Sequence, residues 1–300
     1  MEIKKLDQMF DVLKTKDKKV LVAAYANDHH TIGAVSLAID MGIVDAILVG
    51  DIDTMKAICD EEGIDSSKFK MVQEADGQKA AFKACELINK GEGDLIMKGL
   101  VSTDQYMRAI LNKEIGLMPP KAILSHVTVM ETPRYHKLLV VGDVAIIPAP
   151  ELKEKIAITN YLIKTAQSLG LEKPNVAILA ASELVSDKMQ ASIDGALMSK
   201  MAERGQIKGA NIDGPLSLDL AIDKESAEIK KVGGPVAGNA DCILFPNIES
   251  GNVFYKANTK LAGGEQGAIV AGAKVPAVLS SRGDSVKTKL YSIALAALQA

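Results

Sequence analysis

Of the 35 lysines and arginines in this chain, only Arg108, Arg134, Arg204 and Arg282 are arginine. Where lysine is the default cation, an arginine beside a turn suggests that a planar fork of donors is wanted, as for phosphate or carboxylate. Arg282 stands in Ser280-Ser281-Arg282-Gly283-Asp284-Ser285, after the apolar run Pro276 to Leu279 and before a helical pattern from Val286 to Leu298. That is a strand ending in a tight turn that opens a helix, a junction at which α/β proteins hold anions. The competing reading is a capped helix start, with Ser281 or Asp284 as the cap. A second junction is Lys98-Gly99-Leu100-Val101-Ser102-Thr103-Asp104, with Arg108 one helical turn further on. Its Ser102 and Thr103 can cap the helix or bind an anion, and Arg108, taken alone, reads rather as an exposed helical arginine. The third is Asn247-Ile248-Glu249-Ser250-Gly251-Asn252, followed by Lys256. Small residues, hydroxyls and amides at three strand ends suit a phosphate-bearing ligand held in a crevice between two domains.

The elements that carry these turns can be read from periodicity. Ile3, Leu6, Phe10 and Leu13 have helical spacing, and Lys19 to Ala24 reads as a buried strand. Strands at 44–49, 69–72 and 94–97 alternate with helices at 31–41, 54–62 and 77–90, the pattern of a parallel sheet covered on both faces. Pro119-Pro120 interrupts it and marks a domain crossing. Beyond it, 122–130 and 138–147 alternate apolar and polar residues, as antiparallel or edge strands do. Helices at 151–169, 187–204, 217–231 and 253–261 alternate with strands at 176–181, 210–214 and 242–245. The expected domains are 1–118 with 272–300, and 119–271.

Composition narrows the function classes. A net charge of −3 argues against nucleic acid or an anionic membrane as the main partner. No apolar run reaches the roughly 20 residues of a membrane span, and Met1 to Leu6 has no export-signal character, so a cytoplasmic chain is expected. The three cysteines are scattered without CxxC spacing, as reduced buried thiols are. GxSxG and GxxxxGK[ST] are missing, and Gly263-Gly264-Glu265-Gln266-Gly267 lacks dinucleotide-fingerprint spacing. His29-His30 reads as a hydrated turn rather than a metal site.

Taken together, residues 97–103, 108–117, 124–127 (Leu-Ser-His-Val), 211–216 (Asn-Ile-Asp-Gly-Pro-Leu), 245–256 and Ser281-Arg282 resemble the phosphate acetyl/butyryltransferase family, butyryl-transferring members above all. The resemblance runs from Val20 to the final helix. It implies an α/β fold of two α/β/α domains with a cleft between them, like isocitrate and isopropylmalate dehydrogenases, and a homodimer or higher homo-oligomer. It implies reversible acyl transfer between coenzyme A and inorganic phosphate, both as substrates, with no tightly bound cofactor, metal or covalent acyl-enzyme. By the same resemblance Ser281 would hydrogen-bond at the reacting centre and Arg282 would stabilise the developing negative charge. Arg108, Ser102 and Thr103 would hold phosphate or acyl phosphate. Lys98, Asn252 and Lys256 are assigned to the phosphates of the substrates, with solvated or structural roles as the alternative. The family's acetyl branch has a carboxylate seven residues after the serine, where this chain has Thr288; the base is therefore open, with Asp284 as substitute. Asp143 and Asp213 are expected as turn or interdomain hydrogen-bonding groups, and Arg134 and Arg204 as surface residues.

Three other readings compete. Acetyl transfer differs only in pocket volume. A dehydrogenase of the same fold would need an aspartate metal cluster and a nicotinamide site, and neither pattern is present. A non-catalytic acyl-phosphate or coenzyme A sensor would have no use for Ser281, Arg282 and Arg108.

Overall fold

The computed structural model describes residues 2–279 and 284–300. In chain order its elements begin with helix α1 (Gln8–Leu13), strand β1 (Lys19–Ala24), α2 (His29–Asp40), β2 (Val44–Gly50), α3 (Ile52–Glu62), β3 (Lys70–Gln73), α4 (Gly77–Asn89), β4 (Leu95–Lys98) and α5 (Thr103–Ile110). There follow β5 (Ser125–Glu131), β6 (Leu139–Gly142), α6 (Leu152–Ser168), β7 (Asn175–Leu179), α7 (Gln190–Glu203), β8 (Asn211–Leu216), α8 (Leu218–Ile222), α9 (Lys224–Ile229), β9 (Cys242–Leu244), α10 (Ile248–Lys260) and β10 (Glu265–Ala271). Strand β11 (Ala277–Val278) and helix α11 (Val286–Gln299) end the chain.

The chain divides into two compact units, Asp7–Ala122 with Gly267–Ala300, and Ile123–Gln266 with Met1–Leu6. The division falls a few residues from the sequence expectation, and the N-terminal segment goes with the other unit. The cause is local bonding: Ile3 donates its N–H to the Leu169 carbonyl, and Leu6 donates to the Glu131 carboxylate at 2.8 Å. For the same reason Ile3 and Leu6 lie outside α1, whose helical period they share.

In the first unit the strands run in the order β3-β2-β1-β4-β11-β10. The pairs β3/β2, β2/β1, β1/β4 and β4/β11 are parallel, and β11/β10 is antiparallel. Strand β1 is buried from Leu21 to Ala24 and β4 is buried throughout, because helices cover both faces of such a sheet. In the second unit the order is β5-β6-β9-β7-β8, with only β5/β6 antiparallel. The expected strand 138–147 stops at Gly142, since the Asp143 carboxylate accepts N–H groups from Ala145, Ile146 and Ile147 and bends the chain into a turn. The expected helix 217–231 is two, α8 and α9, because Asp223 caps the second by accepting from Ser226. No helix among the described residues is long and apolar enough to cross a membrane.

Candidate active site

The turn between β4 and α5 is held by its own polar groups and by the carbonyls at the end of β1. Lys98 is only 7% exposed, and its ammonium donates to the Gly99 and Val101 carbonyls at 3.1 and 3.0 Å. Gly99 and Leu100 donate their N–H groups to the Ala24 and Tyr25 carbonyls at 2.9 and 2.8 Å. A Cβ at position 99 would collide with the Tyr25 carbonyl, so glycine is required. Ser102 then starts α5 with a capping box: its hydroxyl donates to the Gln105 side-chain carbonyl at 3.0 Å and accepts the Gln105 N–H at 3.2 Å. Thr103, the first helical residue, is exposed. The first N–H groups of a helix lack intrahelical acceptors and favour negative charge, which makes this terminus a fit place for phosphate.

Arg108 lies in the last turn of α5 and reaches back to Asp104, Nε to carboxylate 2.9 Å, with both side chains about two-thirds exposed (67% and 68%). Such an exposed pair is weak, so an anionic ligand can compete with Asp104 for the guanidinium.

Strand β11 lies against β4, Val278 opposite Met97, and runs parallel to it. Both strands therefore end on the same side of the sheet, where the turn bearing Ser102 and Thr103 follows β4. Tyr106, fully buried on α5, ties the two ends by directing its hydroxyl to the Ile96 and Val278 carbonyls at 3.2 and 3.4 Å. Ser281 and Arg282 themselves lie outside the described residues. Asp284 is half-buried just before α11, but the cap of that helix is Ser285, which accepts the Thr288 N–H at 3.1 Å. The capping role considered for Ser281 or Asp284 is thus corrected: the register starts one residue later.

In the second unit Asp143 is the organising group. It is 2% exposed, and its carboxylate accepts from the Ser125 hydroxyl (3.0 Å) and from the N–H groups of His126 (3.2 Å), Ala145 (2.7 Å), Ile146 (2.9 Å) and Ile147 (3.3 Å). With five donors it is a turn-forming group. Gly251 lets α10 approach this turn, since a Cβ there would strike the Asp143 carbonyl. Asn252 donates its side-chain amide to the Val144 carbonyl at 3.1 Å, and Lys256 is exposed on the same helix. His126 is buried beside Thr128, whose hydroxyl is 3.3 Å from Nδ1, and meets the Tyr255 ring edge-on. Burial pushes its imidazole down to about 4, against the opposing pull of Asp143.

Of the residues singled out from the sequence, the structure gathers Lys98, Ser102, Thr103 and Arg108 on one strand–turn–helix and sets Asp284 after the adjacent strand. Asn252 and Lys256 belong to the other unit. Sequence reasoning missed Tyr106, whose helical spacing marks only a core position, and Tyr25, whose left-handed backbone (φ 59°) no side-chain pattern announces.

The family model described as phosphate acetyl/butaryl transferase matches residues 75–297. The chain is 47% identical, over 99% of both sequences, to a phosphate butyryltransferase of Clostridium acetobutylicum. It is 38% identical to a phosphate acetyltransferase of Thermotoga maritima over 98% of this chain and 99% of that one. Among solved structures, a branched-chain phosphotransacylase from Enterococcus faecalis V583 superposes with a TM-score of 0.82 at 29% identity, covering 94% of this chain and 98% of that one. The family match over residues 75–297 and the full-length similarity give one assignment: the chain belongs to the phosphate acetyl/butyryl transferase family.

Proposed function

We propose that this chain moves a short acyl group, butyryl favoured, reversibly between coenzyme A and inorganic phosphate. A phosphate oxygen attacks the thioester carbonyl carbon; a C–O bond forms, the C–S bond breaks, and its electron pair leaves on sulfur. No metal, tightly bound cofactor or acyl-enzyme is invoked. The observation that supports this reading best is the parallel register of β4 and β11, by which two strands distant in sequence end on the same side of the sheet.

In this reading Ser102, Thr103 and Arg108 hold phosphate against the thioester, which offsets the repulsion of the attacking dianion. Ser281 bonds at the reacting centre and Arg282 stabilises the oxyanion and departing thiolate. Asp284 takes the thiol proton in the reverse direction. Lys98 keeps the turn in shape, while Asn252 and Lys256 serve the phosphates of coenzyme A. Each unit is taken as an α/β domain of the isocitrate/isopropylmalate dehydrogenase-like kind. The working form is taken as a cytoplasmic homodimer or higher homo-oligomer.

Acetyl transfer is the second reading, favoured by the 38% identity to the Thermotoga maritima phosphate acetyltransferase. A panel of acyl-coenzyme A thioesters separates the two: phosphate-dependent release of free thiol should be fastest with butyryl, and acetyl preference would reverse the assignment. Release from none of them would refute acyl transfer altogether. Arg282→Gln should lower turnover about 10²–10³-fold with folding unchanged, as loss of one preorganised donor does. Near-normal turnover would remove Arg282 from the mechanism.

A further inference from the structure

The strand order β3-β2-β1-β4 reverses direction between β1 and β4, because β1 leads outward to β2 and β3 before the chain crosses back to β4. In doubly wound sheets the C-terminal ends beside such a reversal border the ligand. Here those ends are Tyr25, which follows β1, and Gly99-Leu100, which follow β4. Tyr25 holds φ at 59°, a left-handed conformation that is a genuine outlier for a bulky side chain and one that concentrates at ligand sites. That conformation accompanies a defined contact: the Tyr25 carbonyl accepts the Leu100 N–H at 2.8 Å. Lys98 holds the carbonyls on either side of Leu100, those of Gly99 and Val101. The backbone around Leu100 is thus held at its N–H and at both neighbouring carbonyls, yet Leu100 is 44% exposed while neighbouring Val101 is 2% exposed. A leucine fixed this firmly and left facing solvent, two residues before the cap of α5, is placed to meet an apolar part of whatever binds at that helix start.

We propose that Leu100 contacts the acyl chain and sets chain-length selectivity, with Tyr25 as the residue that positions it. This rests on the acyl-transfer reading above. Neither residue carries a reacting group; the effect is one of shape, and one or two methylenes in an apolar contact discriminate substrates by about 10–200-fold.

The test is the ratio of kcat/KM for butyryl-coenzyme A to that for acetyl-coenzyme A, measured with the full-length chain and saturating phosphate. Leu100→Ala should lower the ratio about tenfold through the butyryl value, and Leu100→Met, which conserves volume, should retain it. Tyr25→Gly adopts the left-handed conformation freely and should keep the wild-type ratio, whereas Tyr25→Val cannot do so easily and should move it toward that of Leu100→Ala. A merely structural Tyr25 would lower both kcat/KM values together and leave the ratio alone. An unchanged ratio in Leu100→Ala with turnover present overturns the inference while the acyl-transfer reading stands. Thiol release from no thioester in the wild-type chain overturns both. If Leu100→Ala does not fold, a shifted ratio in Leu100→Met overturns the volume argument and an unshifted one with a shifted Tyr25→Val supports it.

Discussion

A buried imidazole whose affinity for protons is lowered makes folding stability depend on pH in a defined direction. His126 has an ordinary value of 6.5 when unfolded and about 4 in the folded unit. As the pH falls through 6.5 the unfolded chain takes up a proton that the folded chain refuses, so this contribution is fully present above that pH and is lost toward pH 4. The shift corresponds to about 3 kcal/mol. Denaturation midpoints measured from pH 7.5 to 4.5 should therefore fall less steeply in His126→Gln than in the wild type. Parallel curves would show that His126 takes up its proton equally in the folded and unfolded chain. At the same scale, the Asp143 carboxylate that opposes this effect is saturated by Ser125 and four N–H groups, which is why it shapes a turn. Sequence reading could place Asp143 among turn residues but could not see those donors, three of which follow it closely and two of which come from β5.

At the scale of elements, a buried ion pair joins α6 to α7. Lys155 and Asp194 are 4% and 3% exposed and 2.6 Å apart, and Gln190 donates to the second carboxylate oxygen at 2.8 Å. Removing one partner leaves an uncompensated buried charge, so Lys155→Met should cost about 3–5 kcal/mol. The double variant with Asp194→Leu should recover most of it; equal loss in single and double variants, read from denaturant midpoints, would mean the pair contributes packing rather than charge compensation. Elements of this kind were legible to different degrees. The alternation of buried strands with amphipathic helices over residues 19–110 announced a parallel sheet, because both faces of such a sheet are covered. Its limits were less legible. Leu6 shares the period of α1 but is bound by Glu131, and the start of α11 depends on which of several adjacent hydroxyls accepts from the backbone.

For the whole molecule, Pro119-Pro120 was read as a domain crossing; the chain divides into two compact units, and the segment ending at Leu6 groups with Ile123–Gln266. The sequence at 98–104 was recognisable as a strand end opening a helix; that β4 ends beside β11 depends on the pairing of Ala277 with Ile96, which no local pattern encodes. The account rests on phosphate and thioester being bound together and reacting directly. Initial rates measured with phosphate varied at several fixed butyryl-coenzyme A concentrations test this most directly. Double-reciprocal lines that intersect are predicted, since both substrates must be present before the first product leaves. Parallel lines, the kinetic mark of a covalent acyl-enzyme, would contradict it.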